Sequence, residues 1–101
     1  MDRIVHTSKA KVWLYPGMAG WCFVSVSKKE SGRIRALFAG LARGFGSLPV
    51  TVTIGNTTWN TSIFPDSKTK TYLLALKAEV RKKEQITVGK TIVFSFYLRE
   101  L

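Results

Sequence analysis

The chain runs the same itinerary twice. Each half has a strand-like stretch ending in an aromatic–proline pair, Tyr15-Pro16 and then Phe64-Pro65. After a turn comes a stretch opening on a large aromatic, Trp21 or Tyr72. A basic, helix-like segment follows (28–38, then 77–84), next a glycine (Gly46, Gly89), and last a strongly alternating run (48–54, then 90–98). Tyr15 and Phe64 are 49 residues apart and Trp21 and Tyr72 are 51 apart, so the copies keep step. Neither copy can bury its apolar face alone. Two such copies predict a mainly β, pseudo-symmetric barrel with two short helices, in which each half covers the other.

The local signals agree with that plan. Ala10, Val12 and Leu14 alternate with Lys9, Lys11 and Trp13, the period of a half-buried strand, and Pro16-Gly17 ends it in a turn. Residues 21–26 are apolar on both faces, as in a strand inside a small barrel. Ser27 and Glu30 have the spacing of a capping box, in which hydroxyl and carboxylate satisfy free donors at a helix start. Ile34, Leu37, Phe38 and Leu41 then share one helical side, and Gly32 marks that helix as short. The glycine-rich loop 40–46, with Arg43, leads into a strand rather than a helix and so lacks the form of a phosphate cradle. Gly55-Asn56 sits between two alternating runs and predicts a hairpin. The expected core is Val12, Leu14, Val24, Val26, Leu37, Val50, Val52, Ile54, Ile63, Ile92, Phe94 and Phe96.

At 101 residues the chain is expected to form one domain, with an ordered core over 8–99 and halves over about 9–54 and 57–98. No apolar run is long enough to span a bilayer as a helix. The polar stretch 1–9 lacks the apolar middle of a signal peptide, which points to the cytoplasm. Cys22 lies in an apolar strand and reads as a small buried hydrophobe.

The central stretch 44–55 (Gly-Phe-Gly-Ser-Leu-Pro-Val-Thr-Val-Thr-Ile-Gly) resembles a bacterial and archaeal family known as domain of unknown function nineteen-oh-five. So do residues 59–65 (Trp-Asn-Thr-Ser-Ile-Phe-Pro), and Tyr72-Leu73-Leu74 followed by Val80-Arg81-Lys82. The resemblance runs over about 9–98. It implies a double-split β-barrel, distantly like the AbrB-type regulators and MazE-type antitoxins. There, two subunits each supply a strand-helix-glycine-strand unit and the dimer binds DNA. A chain carrying both units can then stand as a monomer. This sequence has Ser27, Ala75 and Lys90 where the family often has two prolines and an acid. The family implies no activity, so function has to be read from the residues.

Catalysis finds little support. His6 is the only histidine and is expected to be an exposed terminal residue; no nucleophile–base pair, metal-ligand set or cofactor motif is visible. Charge is the outlying property, with 16 Lys and Arg against 6 Asp and Glu, a net +10. Such an excess points to nucleic acid or another polyanion as partner. The basic helical segments supply Lys28, Lys29, Arg33 and Arg35 in one half and Lys77, Arg81, Lys82 and Lys83 in the other, a pair of positive patches for phosphates. Solvated helix faces would read the same way. A second reading is a small-molecule or protein-binding module with an aromatic-lined pocket at the barrel mouth, built from Trp13, Trp21, Trp59 and Tyr72. Against it, aromatics in a small β-domain ordinarily fill the barrel.

Overall fold

The computed structural model describes residues 4–17, 20–38, 40 and 46–99. Nine elements follow in order: β1 (His6–Lys11), β2 (Trp13–Leu14), β3 (Cys22–Ser25), α1 (Lys28–Phe38), β4 (Leu48–Ile54), β5 (Thr57–Asp66), β6 (Thr71–Leu76), α2 (Ala78–Lys83) and β7 (Thr91–Leu98). The strands form one sheet in the order β1-β7-β4-β5-β6-β3-β2, every pair antiparallel. Its two edge strands are separated in sequence by Val12 alone, so the sheet curls into a nearly closed barrel.

The pairing is two-fold symmetric. Exchanging β1–β2 with β5, β3 with β6, and β4 with β7 leaves the set of paired strands unchanged. Ile63 is where β5 passes from β4 to β6, since it pairs with both Leu48 and Leu74. Val12 is the matching point, where the chain passes from β7 to β3. This correspondence matches Trp13 to Phe64 and Tyr15 to Asp66, two residues out of step with an alignment of the aromatic–proline pairs. The reason is physical. Pro16 opens a turn, whereas Pro65 lies inside β5 opposite Tyr72, so the two prolines do different work.

The alternating strands aim one face inward. Leu48, Val50, Val52 and Ile54 of β4 meet Ile92, Phe94 and Phe96 of β7, with Val24, Val26, Ile63, Leu74 and Leu76 completing the core. The β4–β5 hairpin turns at Gly55-Asn56 as expected, with Gly55 at φ 56°. Glycine suits that place twice over, by its left-handed backbone and because the end of the Glu84 side chain lies where a Cβ would stand.

Two expected core members are misplaced. Leu37 is 54% exposed because α1 turns Ser31, Ile34 and Phe38 inward, which leaves Leu37 on the flank. Leu14 is 50% exposed on the last rung of the short β2–β3 ladder. The capping box is half formed. The Glu30 N–H donates to Ser27 Oγ (3.2 Å), but the Ser27 N–H donates to Ser8 Oγ, and the Glu30 carboxylate has other partners. Helix α1 runs 11 residues despite Gly32, which is exposed. The expectations for Leu41 and for the loop around Arg43 fall outside the described residues.

Candidate functional site

Beyond the core, a second aromatic layer lies on the outer face of the sheet. Trp13 and Tyr15, in opposite phase to the buried Val12, face outward with Phe23. Phe23 is the hub: Trp13 stacks on it at 5.4 Å, Trp21 lies 6.3 Å away, and Tyr15 tilts against it at 5.2 Å. The rings cover Phe23 to 9% exposure while leaving their own outer faces wet. Trp21 is 50% exposed, Phe64 44% and Tyr15 37%. Large rings held in water at this density are unusual on a folded domain, which makes this face the candidate site.

Between these rings runs an open groove of about 350 Å³, lined by Tyr15, Trp21, Phe23, Phe64, Pro65, Asp66, Leu73 and Ala75. It crosses β3, β6 and the end of β5 on the outer face, not the barrel mouth where the aromatic pocket was expected. Of that set only Trp21 lines it. Trp13 braces the hub and donates from Nε1 to Ser25 Oγ (3.3 Å). Tyr72 is buried in the core, and Trp59 packs partly buried against the core from β5.

A helix arginine fastens each of the turns that bound the groove. Arg81 donates from Nε to the Leu76 carbonyl (3.1 Å) and from Nη2 to the Gly20 carbonyl (3.1 Å), beside Trp21. Arg35 donates from Nη2 to the Lys70 carbonyl (2.9 Å), in the turn after Asp66. Lys77 directly follows Leu76, the residue paired with Cys22, and so stands at the Trp21 end; Lys68 and Lys70 stand at the other. All three lysines are exposed. The Asp66 carboxylate accepts the Lys68 N–H (3.2 Å) and the Thr69 hydroxyl (2.9 Å), which shapes the turn.

The eight basic helix residues thus divide. Arg35, Arg81 and Lys77 bracket the groove, Arg81 giving two hydrogen bonds to backbone carbonyls and Arg35 one. Lys28, Lys29, Arg33, Lys82 and Lys83 are exposed and do not line it, Arg33 pairing with Glu30 and Lys83 with Glu79 (both 3.3 Å). Surface pairs of this kind contribute little to stability.

His6 departs from expectation. It is fully buried, stacks on Phe96 at 5.4 Å, and donates from Nδ1 to Glu30 Oε2 at 2.9 Å. The His6 hydrogen bond holds the Glu30 carboxyl below the usual range; burial opposes this and the nearby Arg33 charge assists it. His6 is sealed from solvent while the Glu30 carboxylate stays partly exposed beside Arg33, and the pair works as a staple between β1 and α1. Its signal was present in the period of two linking His6, Ser8, Ala10 and Val12. Among the described residues no three His, Cys, Asp or Glu side chains are grouped to hold a metal ion. No helix among them is long and apolar enough to cross a membrane.

A family model described as domain of unknown function (DUF1905) matches residues 9–95, and its description assigns no activity. No curated protein matches the chain. The chain belongs to that family.

Proposed function

We propose that this family member is a binding module for single-stranded nucleic acid, with the outer aromatic groove as its stacking platform and the flanking basic residues as its phosphate contacts. The observation that carries the reading is the pairing of exposed rings with charge. Trp21, Tyr15 and Phe64 present free ring faces on a chain of net +10, between turns that bear Lys77 at one end and Lys68 and Lys70 at the other.

Unpaired bases stack on such rings with little regard to sequence, while lysines track the backbone. A duplex keeps its base faces covered and gains only the phosphate term. The basic helix faces therefore matter less than the groove, because neither helix sets an exposed aromatic ring beside its charges. A pocket for a neutral small molecule fits the rings but leaves the positive rim unused.

Fluorescence anisotropy with labelled oligothymidylate and a labelled duplex at 50 and 200 mM salt tests this. Single strands are expected to bind more tightly than duplex. Affinity should fall by roughly 0.7 log units per log unit of salt for each phosphate neutralised. Trp21→Ala should weaken binding by about five- to a hundredfold. Equal affinity for duplex and single strand, or no effect of Trp21→Ala, would remove the groove from the account.

A further inference from the structure

Asp66 is out of place on a surface meant for phosphates. Among the described residues it is the one acid lining the groove, and like Glu84 it has no ion pair. Glu30 is held by His6 and Arg33, Glu79 by Lys83, and Glu84 by the Thr57 hydroxyl. Lys68 and Lys70 lie next to Asp66 in sequence, yet neither ammonium pairs with it; what it takes from Lys68 is the backbone N–H. A carboxylate without a cationic partner repels a passing phosphate. It adds binding free energy only if the ligand brings donors to it.

The geometry of the turn leaves such acceptors available. Oδ1 accepts the Lys68 N–H and Oδ2 the Thr69 hydroxyl, one hydrogen bond to each oxygen. A carboxylate oxygen has two lone-pair sites, so each can accept once more, side by side. Those two bonds also fix the carboxylate of a residue that lines the groove together with Phe64 and Pro65. Rigid placement beside a stacking ring is what reading a base edge requires.

We infer that Asp66 is a specificity-determining residue that selects guanine in a single strand. The inference rests on the nucleic-acid reading of the groove. Among the bases, guanine alone offers two adjacent donors on its Watson–Crick edge, N1–H and N2–H, matched to the parallel oxygens of one carboxylate. Cytosine and adenine each bring one exocyclic amine, and thymine or uracil one ring N–H beside carbonyls that the carboxylate repels. A base stacked against Phe64 presents that edge to Asp66, and charge-assisted bidentate bonds are the strong ones.

The experiment compares labelled heptathymidylate with the same heptamer carrying a central guanine or a central hypoxanthine, which lacks the 2-amino group. With the unaltered protein the guanine heptamer should bind about five- to a hundredfold tighter than heptathymidylate, with hypoxanthine between them. Asp66→Asn keeps the Lys68 N–H bond through its amide oxygen, so the turn should stand. It should abolish the guanine preference and raise affinity for heptathymidylate, because a negative charge leaves a phosphate surface. Binding of all three heptamers with equal affinity overturns the inference and leaves the groove reading standing. A guanine preference that persists in Asp66→Asn also overturns it. No binding of any heptamer overturns both. If Asp66→Asn misfolds, the unaltered protein still tests the two-donor reading, because equal affinity for the guanine and hypoxanthine heptamers overturns it.

Discussion

Gly20 and Lys70 hold equivalent places in the two halves. Each has a left-handed backbone, φ 78° and 58°, and each gives its carbonyl to a helix arginine, Arg81 for Gly20 and Arg35 for Lys70. The chain thus meets one conformational demand with the residue suited to it in the first half and with an unsuited one in the second. Inside α1 and α2 the match continues: Ser31 Oγ donates to the Val26 carbonyl, as Arg81 Nε does to that of Leu76.

Replacing Lys70 by glycine should therefore stabilise the fold. A non-glycine residue in the left-handed region costs roughly 1–2 kcal/mol, of which glycine returns part as lost chain entropy. The net expectation is a gain of about 0.5–1 kcal/mol by urea unfolding. Gly20→Ala should lose about 1 kcal/mol at the matching site. A destabilised Lys70→Gly would mean that the lysine side chain supports the turn.

The inward face of α1 gives a second expectation. Ile34→Ala should cost about 2–5 kcal/mol, because Ile34 is fully buried, while Leu37→Ala should stay within about 0.5 kcal/mol. Comparable losses at both positions would put Leu37 back in the core.

Much of this was legible in the sequence, and the failures share a cause. Strand phases were readable because period-two alternation in 48–54 and 90–98 survives in the buried set of β4 and β7. Leu37 was misread because helical spacing allows either the third or the fourth residue onward, and only contact with β6 decides. The groove was half visible. Trp13 and Tyr15 already stood in opposite phase to Val12, but the meeting of Tyr15 with Phe64 and Asp66 in one groove depends on β3–β6 pairing across half the chain. The burial of His6 was legible in its phase with Ser8, Ala10 and Val12, but its partner was not, because Glu30 is 24 residues away and no local pattern links them.

The staple between β1 and α1 should show in the pH dependence of stability. The folded Glu30 carboxyl titrates below its unfolded value of about 4.5, so its contribution is complete above that pH. It is lost as pH falls through the lower, folded value. Glu30→Gln should cost about 1 kcal/mol near neutrality, and the gap between the two proteins should close as the pH drops below 4.5. Thermal melts from pH 3 to 7 would check this; a gap that stays constant would show that the charge of Glu30 is irrelevant.

The division of the basic residues predicts unequal effects of charge reversal. Lys70→Glu with Lys77→Glu, at the two ends of the groove, should lower both the affinity for single strands and the salt slope. Lys28→Glu with Lys82→Glu, away from the groove and equal in charge change, should act more weakly through the long-range field alone. Equal effects of the two pairs, read by anisotropy at low and high salt, would restore the helix faces as the working surface.

The three indole N–H signals give the most direct test of the groove. Trp21 stands half exposed at its wall, Trp13 braces its hub from behind, and Trp59 packs on the core from β5. In a proton–nitrogen correlation spectrum titrated with oligothymidylate, the Trp21 signal is expected to move most, Trp13 less, and Trp59 to stay in place. A titration in which Trp21 does not move while signals of exposed α1 residues do would contradict single-strand binding on the aromatic face.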